Sequence, residues 1–291
     1  MALAQPSLFG DEARDLNPVD EMFAADLRYR SREQFQSLLD FLARFPQYSP
    51  FNGLLMYTQN PAATFVATAG GWQRRFDRRP KSGARPMAIL APMAPVLFLY
   101  DVSDTEGGNF PVELSHRPPG DGKLRPTVWE NTVLSCRRHR IELRETDLGR
   151  ERKPDAVFLD EQGRKKCAAH HPLAESSYLV LLDAAQPLED RYSVLVHQLA
   201  RIFCGHLADT DDGWWTPTQS RDPVARRLEA ESAGWLVCRR QGLVTGFDSE
   251  HDSIPTLSLN AVLRAIGYIE EMGARAGKKS RRAGRSSSTS R

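Results

Sequence analysis

No stretch of this 291-residue chain approaches the roughly 20 uninterrupted apolar residues of a membrane-spanning helix, so none is expected. The N-terminus, MALAQPSLFGDEARD, has neither a basic start nor a long apolar run, which argues against a secretory signal and for a cytoplasmic protein. Cysteine is scarce. The four present (Cys136, Cys167, Cys204 and Cys238) form no C-x-x-C pair, which excludes a zinc ribbon and a thioredoxin-like motif. Reduced, mostly buried thiols are the expectation. No internal repeat is visible. Acid is missing from residues 274–291, which hold seven basic side chains; subtracting these seven from the formal charge of +2 leaves −5 for the rest. That Gly/Ser-rich tail has no apolar periodicity and reads as a disordered segment that either attracts polyanions in a salt-dependent way or serves only to solubilise the chain.

What remains can build real cores, since 41% of the residues are hydrophobic and the length suffices for two compact domains. A helical pattern begins after Pro18. Ser31-x-x-Gln34 is a capping-box signature, followed by Phe35, Leu38, Leu39, Leu42 and Phe45 at helical spacing. Phe51–Gln59 reads as a second helix and Phe65–Ala67 as a short strand. Two apolar runs, Met87–Ala91 and Val96–Tyr100, read as paired strands joined by a tight loop. Residues 111–126 lie in a Gly/Pro-rich stretch and mark a boundary. Beyond it the pattern predicts a helix over Val133–Arg140 and strands at Ile141–Leu143, Ala156–Leu159 and Tyr178–Leu182. Helices follow at Asp190–Cys204, Pro223–Arg240 and Asn260–Met272. Helices and strands in separate runs predict an α+β fold. The expected division is a disordered 1–17, a domain over 18–110, a linker over 111–126, a domain over 127–273 and the tail 274–291.

The most informative segment is His197-Gln198-Leu199-Ala200-Arg201-Ile202-Phe203-Cys204-Gly205-His206. It resembles the H-E-L-A-H-x-x-x-G-H helix of the ImmA/IrrE-like zinc metallopeptidases, in which two histidines four apart share one helix face and a single zinc. In that family a later E-A-x-x-x-A pattern supplies an acidic ligand; here the matching residues are Glu229-Ala230-Glu231-Ser232-Ala233-Gly234. The resemblance implies a zincin-shaped domain with a degenerate site. Gln198 stands where the family has its general base, and an amide takes no proton near neutral pH. Arg201 stands at the second histidine, and a guanidinium repels a divalent metal. No catalytic residue and no bound metal are therefore expected, with His197, Glu229 and His206 as remnant positions. His206 could join them only if Gly205 ended the helix and turned it back. An ion pair between Arg201 and Glu229 in place of zinc is the structural expectation.

Upstream, Tyr48-Ser49-Pro50-Phe51-Asn52-Gly53-Leu54-Leu55-Met56-Tyr57-Thr58-Gln59-Asn60-Pro61 resembles the opening signature of the ArdC-type N-terminal domain. So do Gly71–Phe76, Arg79–Pro92 and Phe98–Gly107. That resemblance implies single-stranded DNA binding and an antirestriction role in mobile elements. The residues make physical sense on their own. Arg74, Arg75, Arg78, Arg79, Lys81 and Arg85 stand against one acid, Asp77, with Trp72 and Phe76 interleaved. Single strands bind where cations follow phosphates and aromatic faces stack on bases. The alternative for Trp72 and Phe76 is a place in the core, four apart on one helix face.

A short linear motif completes the reading. Gln5-Pro6-Ser7-Leu8-Phe9 resembles the Q-L-S/D-L-F peptide by which bacterial replication proteins dock on the sliding clamp, with Gln5, Leu8 and Phe9 as the contacts. Three functions are therefore open. The first is a non-enzymatic single-stranded-DNA-binding protein with a dead peptidase-like domain. The second is an active ImmA/IrrE-type peptidase that cleaves a regulator. The third is an interaction adaptor associated with the clamp.

Overall fold

Ser31 opens the first helix, α1 (Arg32–Arg44), its hydroxyl accepting from the Gln34 N–H at 3.3 Å, as the capping-box pattern predicts. The apolar stripe of α1 buries Phe35, Leu38, Leu39, Phe41 and Leu42. Helix α2 (Pro50–Gln59) starts with proline in its first turn, where a missing N–H costs nothing, and Ser49 caps it. These elements belong to a computed structural model that describes residues 31–91, 96–115, 120–149, 154–159, 177–207, 222–247 and 257–274. The clamp-like pentapeptide, the pattern after Pro18 up to residue 30, Cys167 and residues 275–291 of the basic tail lie outside the described residues.

Strand β1 (Val66–Ala67) leads into helix α3 (Ala69–Phe76), strand β2 (Arg78–Pro80) and strand β3 (Met87–Ile89). Strand β4 (Leu97–Asp101) pairs antiparallel with both β1 and β3, giving the order β1-β4-β3, with Met87 opposite Leu99 and Ala88 opposite Phe98. The two apolar runs thus form the hairpin expected of them. After a 3₁₀ turn, strand β5 (Thr105–Gly107) pairs with β2.

In the second half, helix α4 spans Pro126–Arg138, not Val133–Arg140. The sequence pattern placed Pro126 at the end of a linker, whereas here the ring occupies the first helical turn. Strands β6 (Ile141–Thr146), β7 (Asp155–Phe158) and β8 (Tyr178–Asp183) form a mixed sheet of order β6-β8-β7. β8 runs parallel to β6 and antiparallel to β7. Helices α5 (Leu188–Phe203), α6 (Pro223–Arg240) and α7 (Leu259–Gly273) complete the chain. The architecture is α+β. No described helix is long and apolar enough to cross a membrane.

The main core does not stop at residues 111–126. Phe35, Leu38, Leu39, Leu42 and Leu54 from α1 and α2 lie in one cluster with Leu199, Leu236 and Ile266 from α5, α6 and α7. Each such side chain contributes about 1.5–3 kcal/mol by leaving water. Leu124 is buried in the same cluster, and its N–H donates to Glu189 at 3.2 Å. A smaller core under the first sheet gathers Phe41, Phe45, Met56, Val66, Met87, Ile89 and Leu99.

Candidate functional site

Helix α5 presents Gln198 and Arg201 one turn apart, with His197 beside them. Its end is set by Gly205, whose φ of 75° is a left-handed conformation that side chains disfavour. The Gly205 N–H donates to the Ile202 carbonyl at 2.9 Å and the His206 N–H to the Arg201 carbonyl at 3.0 Å, a Schellman close. That turn sends the His206 imidazole back toward α6, the condition the sequence set for its joining Glu229. The two meet, with Nε2 2.7 Å from Glu229 Oε2.

Glu229 is fully buried, with 0% of its surface exposed. Its other oxygen, Oε1, accepts the Ser258 N–H at 2.6 Å, and the Ser258 hydroxyl in turn accepts from the Ala261 N–H at the start of α7. A buried carboxylate must be satisfied this way, since an unpaired one would titrate or unfold the site. The expected Arg201–Glu229 ion pair is therefore not formed. Arg201 turns toward the sheet: its Nη1–H groups donate to Asp155 Oδ1 on β7 at 2.6 Å and to Gln198 Oε1 at 2.8 Å. The reason is positional. Glu229 already has two donors inside the core, and a guanidinium is cheaper to hold beside the half-exposed Asp155 than in the interior.

His197 sits where α5 packs closely on α6 at Gly234. A Cβ at Gly234 would stand 3.3 Å from the His197 Cα, so only a residue without a side chain fits that approach comfortably. Burial, above all, holds the His197 imidazole below its ordinary value, with Arg201 and Arg227 adding to the effect against a counter-pull from Glu231. The ring lines an open hollow of about 300 Å³ together with Arg201, His206 and Arg227. Among the described residues, no three His, Cys, Asp or Glu side chains are grouped so as to hold a metal ion. The donor set itself does not fit a divalent cation: Arg201 is a cation, Gln198 an amide engaged by it, and both Glu229 oxygens are taken. The buried thiols are similarly unsuited to chemistry, since burial pushes Cys136 and Cys238 up to about 12 and Cys204 well above its usual value.

The basic cluster divides on inspection. Trp72, expected among the nucleic-acid contacts, is 0% exposed; its indole N–H donates to the Tyr100 carbonyl at 2.9 Å. It packs against Phe65, Phe76 and Phe110, so it has no face to offer a base, and its place is the core alternative that the four-residue spacing to Phe76 allowed. Arg78 is also committed internally. Its guanidinium donates to Thr105 Oγ1, the Thr105 carbonyl and the Gly108 carbonyl, bracing β2 against β5. Arg74, Arg75, Arg79, Lys81 and Arg85 remain exposed. Among them, Arg75 lies over the Phe65 and Phe76 rings at 5.7 and 5.2 Å, Arg79 reaches Glu106 at 3.3 Å, and the Lys81 ammonium donates to the Ser103 carbonyl at 2.7 Å. These are surface contacts that leave the charges accessible.

Three further residues gave little sequence signal. Asp155 lies 46 positions before Arg201, and nothing local marks it as the partner. Asn52 and Gln59, both inside the ArdC-like signature, prove to be edge-closing amides. Asn52 exchanges two hydrogen bonds with the Leu90 backbone at 2.9 and 3.0 Å, and Gln59 two with the Ala88 backbone at 2.8 Å each.

No protein-family model matches the chain, and no curated protein does. Two crystal structures of the antirestriction ArdC protein from the R388 plasmid are similar to it. The Mn(II)-bound form shares 13% identity over 83% of this chain and 98% of that one, with a TM-score of 0.39. The metal-free form shares 11% over 82% and 94%, with a TM-score of 0.38. At these scores the backbones differ too much for any site residue to be carried across.

Proposed function

We propose that this chain is a non-enzymatic single-stranded-DNA-binding protein of the antirestriction, mobile-element type. In this reading residues 18–110 meet the nucleic acid, and residues 127–273 are a zincin-like domain kept as a scaffold. The observation that carries the proposal is the set of exposed cations within residues 74–85, namely Arg74, Arg75, Arg79, Lys81 and Arg85. Cations that contact phosphates release the counterions condensed on a nucleic acid, which makes the binding salt-dependent. The ArdC-like signature over the same segment supports the choice of single strands. In the second half, the general-base position is an amide and the second-histidine position a guanidinium bound to Asp155. Neither can activate water, which supports a scaffold without zinc.

The test is binding to a single-stranded oligonucleotide and to a duplex across a salt series. It uses the full chain and a full-length variant whose seven basic tail residues are serine, because the tail alone could bind polyanions. Replacing Arg74, Arg75, Arg79, Lys81 and Arg85 together should lower affinity and flatten the slope of log affinity against log salt by several units, up to about 0.7 for each lost single-strand phosphate contact. An unchanged slope would sink the reading. A second proposed partner is the sliding clamp, through Gln5, Leu8 and Phe9; a peptide of residues 1–15 that fails to bind purified clamp removes it.

A further inference from the structure

Along β4, inward and outward positions alternate strictly. Leu99 and Asp101 are 1% and 2% exposed, while Phe98, pointing the other way, is 54% exposed. Its cross-strand partner is Ala88, too small to cover a ring. Leu90 and Val96 extend the same hairpin with 62% and 41% exposure. A phenylalanine held on the open face of a sheet loses the burial that normally justifies it, and isolated rings on sheet faces are what single-stranded nucleic acids stack upon.

The cations lie within reach of it. Arg85 precedes Ala88 by three residues, so their Cα atoms are at most about 10 Å apart. Ala88 stands directly across from Phe98, about 5 Å away. Arg79 lies in β2 of the neighbouring two-stranded sheet, and Lys81, just after it on the connection to β3, reaches the Ser103 carbonyl two residues beyond the end of β4. Of the acids beside these cations, Asp77 accepts from Gln73 at 2.7 Å and Glu106 pairs with Arg79, while Asp104, whose carbonyl accepts the Lys81 N–H at 2.9 Å, leaves five basic side chains against three acids. A strand of DNA laid over this face would find charge for its phosphates and an uncovered ring for a base. An apolar protein partner would have to desolvate the cations instead. We propose that Phe98, and not Trp72, is the base-stacking residue of a single-strand groove whose phosphates run along Arg79, Lys81 and Arg85. This rests on the single-stranded-DNA reading above.

The experiment compares full-length parent, Phe98→Ala, Phe98→Tyr and an Arg79/Lys81/Arg85→Ser variant, all carrying the same tail, for binding to oligodeoxythymidine and to a duplex of equal length. Phe98→Ala should weaken single-strand binding about tenfold, leave the salt slope and the duplex affinity unchanged, and melt with the parent; Phe98→Tyr should restore affinity. The triple charge variant should flatten the slope. Loss from the charge variant alone, with Phe98→Ala binding like the parent, overturns the stacking role while the DNA reading stands, and leaves the apolar face to a protein partner. Equal loss on single strand and duplex also overturns it. No affinity of the parent for single strands overturns both proposals together.

Discussion

At the residue scale, Glu229 and Arg201 have exchanged the importance that the motif assigned to them. The carboxylate is sealed in the core with a donor on each oxygen, whereas the guanidinium sits 30% exposed beside an aspartate that is 54% exposed. Glu229→Ala removes the carboxylate that the His206 ring and the Ser258 N–H share in the core, and should cost about 3–5 kcal/mol in a denaturant titration. Arg201→Met removes a half-solvated pair and should cost at most about 1 kcal/mol. Equal losses would mean that Arg201 supports the core after all. His197 makes a pH prediction. Its imidazole is depressed mainly by burial, so below the ordinary value near 6.5 the unfolded chain binds a proton that the folded one resists. Stability should therefore fall as pH drops through about 6.5 toward the lowered folded value. His139, depressed by burial too, acts in the same direction. Melting temperatures at about pH 7.5 and 5.5 would show the drop, and His197→Gln should make it shallower.

At the scale of elements, the hairpin edge is the sensitive place. Strand β3 is an outer strand, and unpaired edge groups invite pairing with another chain. Asn52 and Gln59, two turns apart on one face of α2, supply amides that mimic a neighbouring strand at Leu90 and Ala88. Asn52→Ala with Gln59→Ala should destabilise by about 1–3 kcal/mol for each amide removed and raise self-association; light scattering against concentration would detect it. A monomeric double variant of unchanged stability would show that the edge needs no cover. Of the elements themselves, those with local markers were legible: Ser31 for α1, Pro223 for α6, and the continuously apolar Tyr178–Leu182 strand. Helix α4 was misjudged because its first turns, Pro126 to Thr132, carry few apolar residues and follow a Gly/Pro-rich stretch. Its packing against α7, with Asn131 and Ser135 donating to the Gly273 and Met272 carbonyls, supplies what local pattern lacks.

At the scale of the molecule, one arginine joins distant parts of the chain. Arg240, at the end of α6, is 5% exposed and directs its guanidinium to the carbonyls of Leu42, Phe45, Pro46 and Tyr48 and to Glu270 on α7. Those four carbonyls lie at the end of α1 and just after it, where a helix leaves acceptors unmatched. Arg240→Met would take the guanidinium donors from these carbonyls, Phe45 alone keeping the Tyr48 N–H at 3.1 Å, and leave the part-buried Glu270 without its partner. A loss of about 3–5 kcal/mol is expected, with a single cooperative transition in the parent because α1 shares the core of α5 to α7. Two separate transitions in the parent would show that the halves fold independently.

The sequence alone determined that positions 198 and 201 carry an amide and a guanidinium, neither of which takes a proton near neutral pH or binds a divalent cation, because that capacity belongs to the side chain itself. It also determined the Ser31 cap and the apolar runs that become strands, which are local. Partner choice lay beyond it. That His206 and not Arg201 reaches Glu229, that Trp72 is sealed while Phe98 is open, and that Arg78 braces a hairpin all depend on which groups the fold brings within 3 Å of one another. Hydrogen bonds and burial are contacts in space, and segments dozens of residues apart become neighbours only when the chain packs.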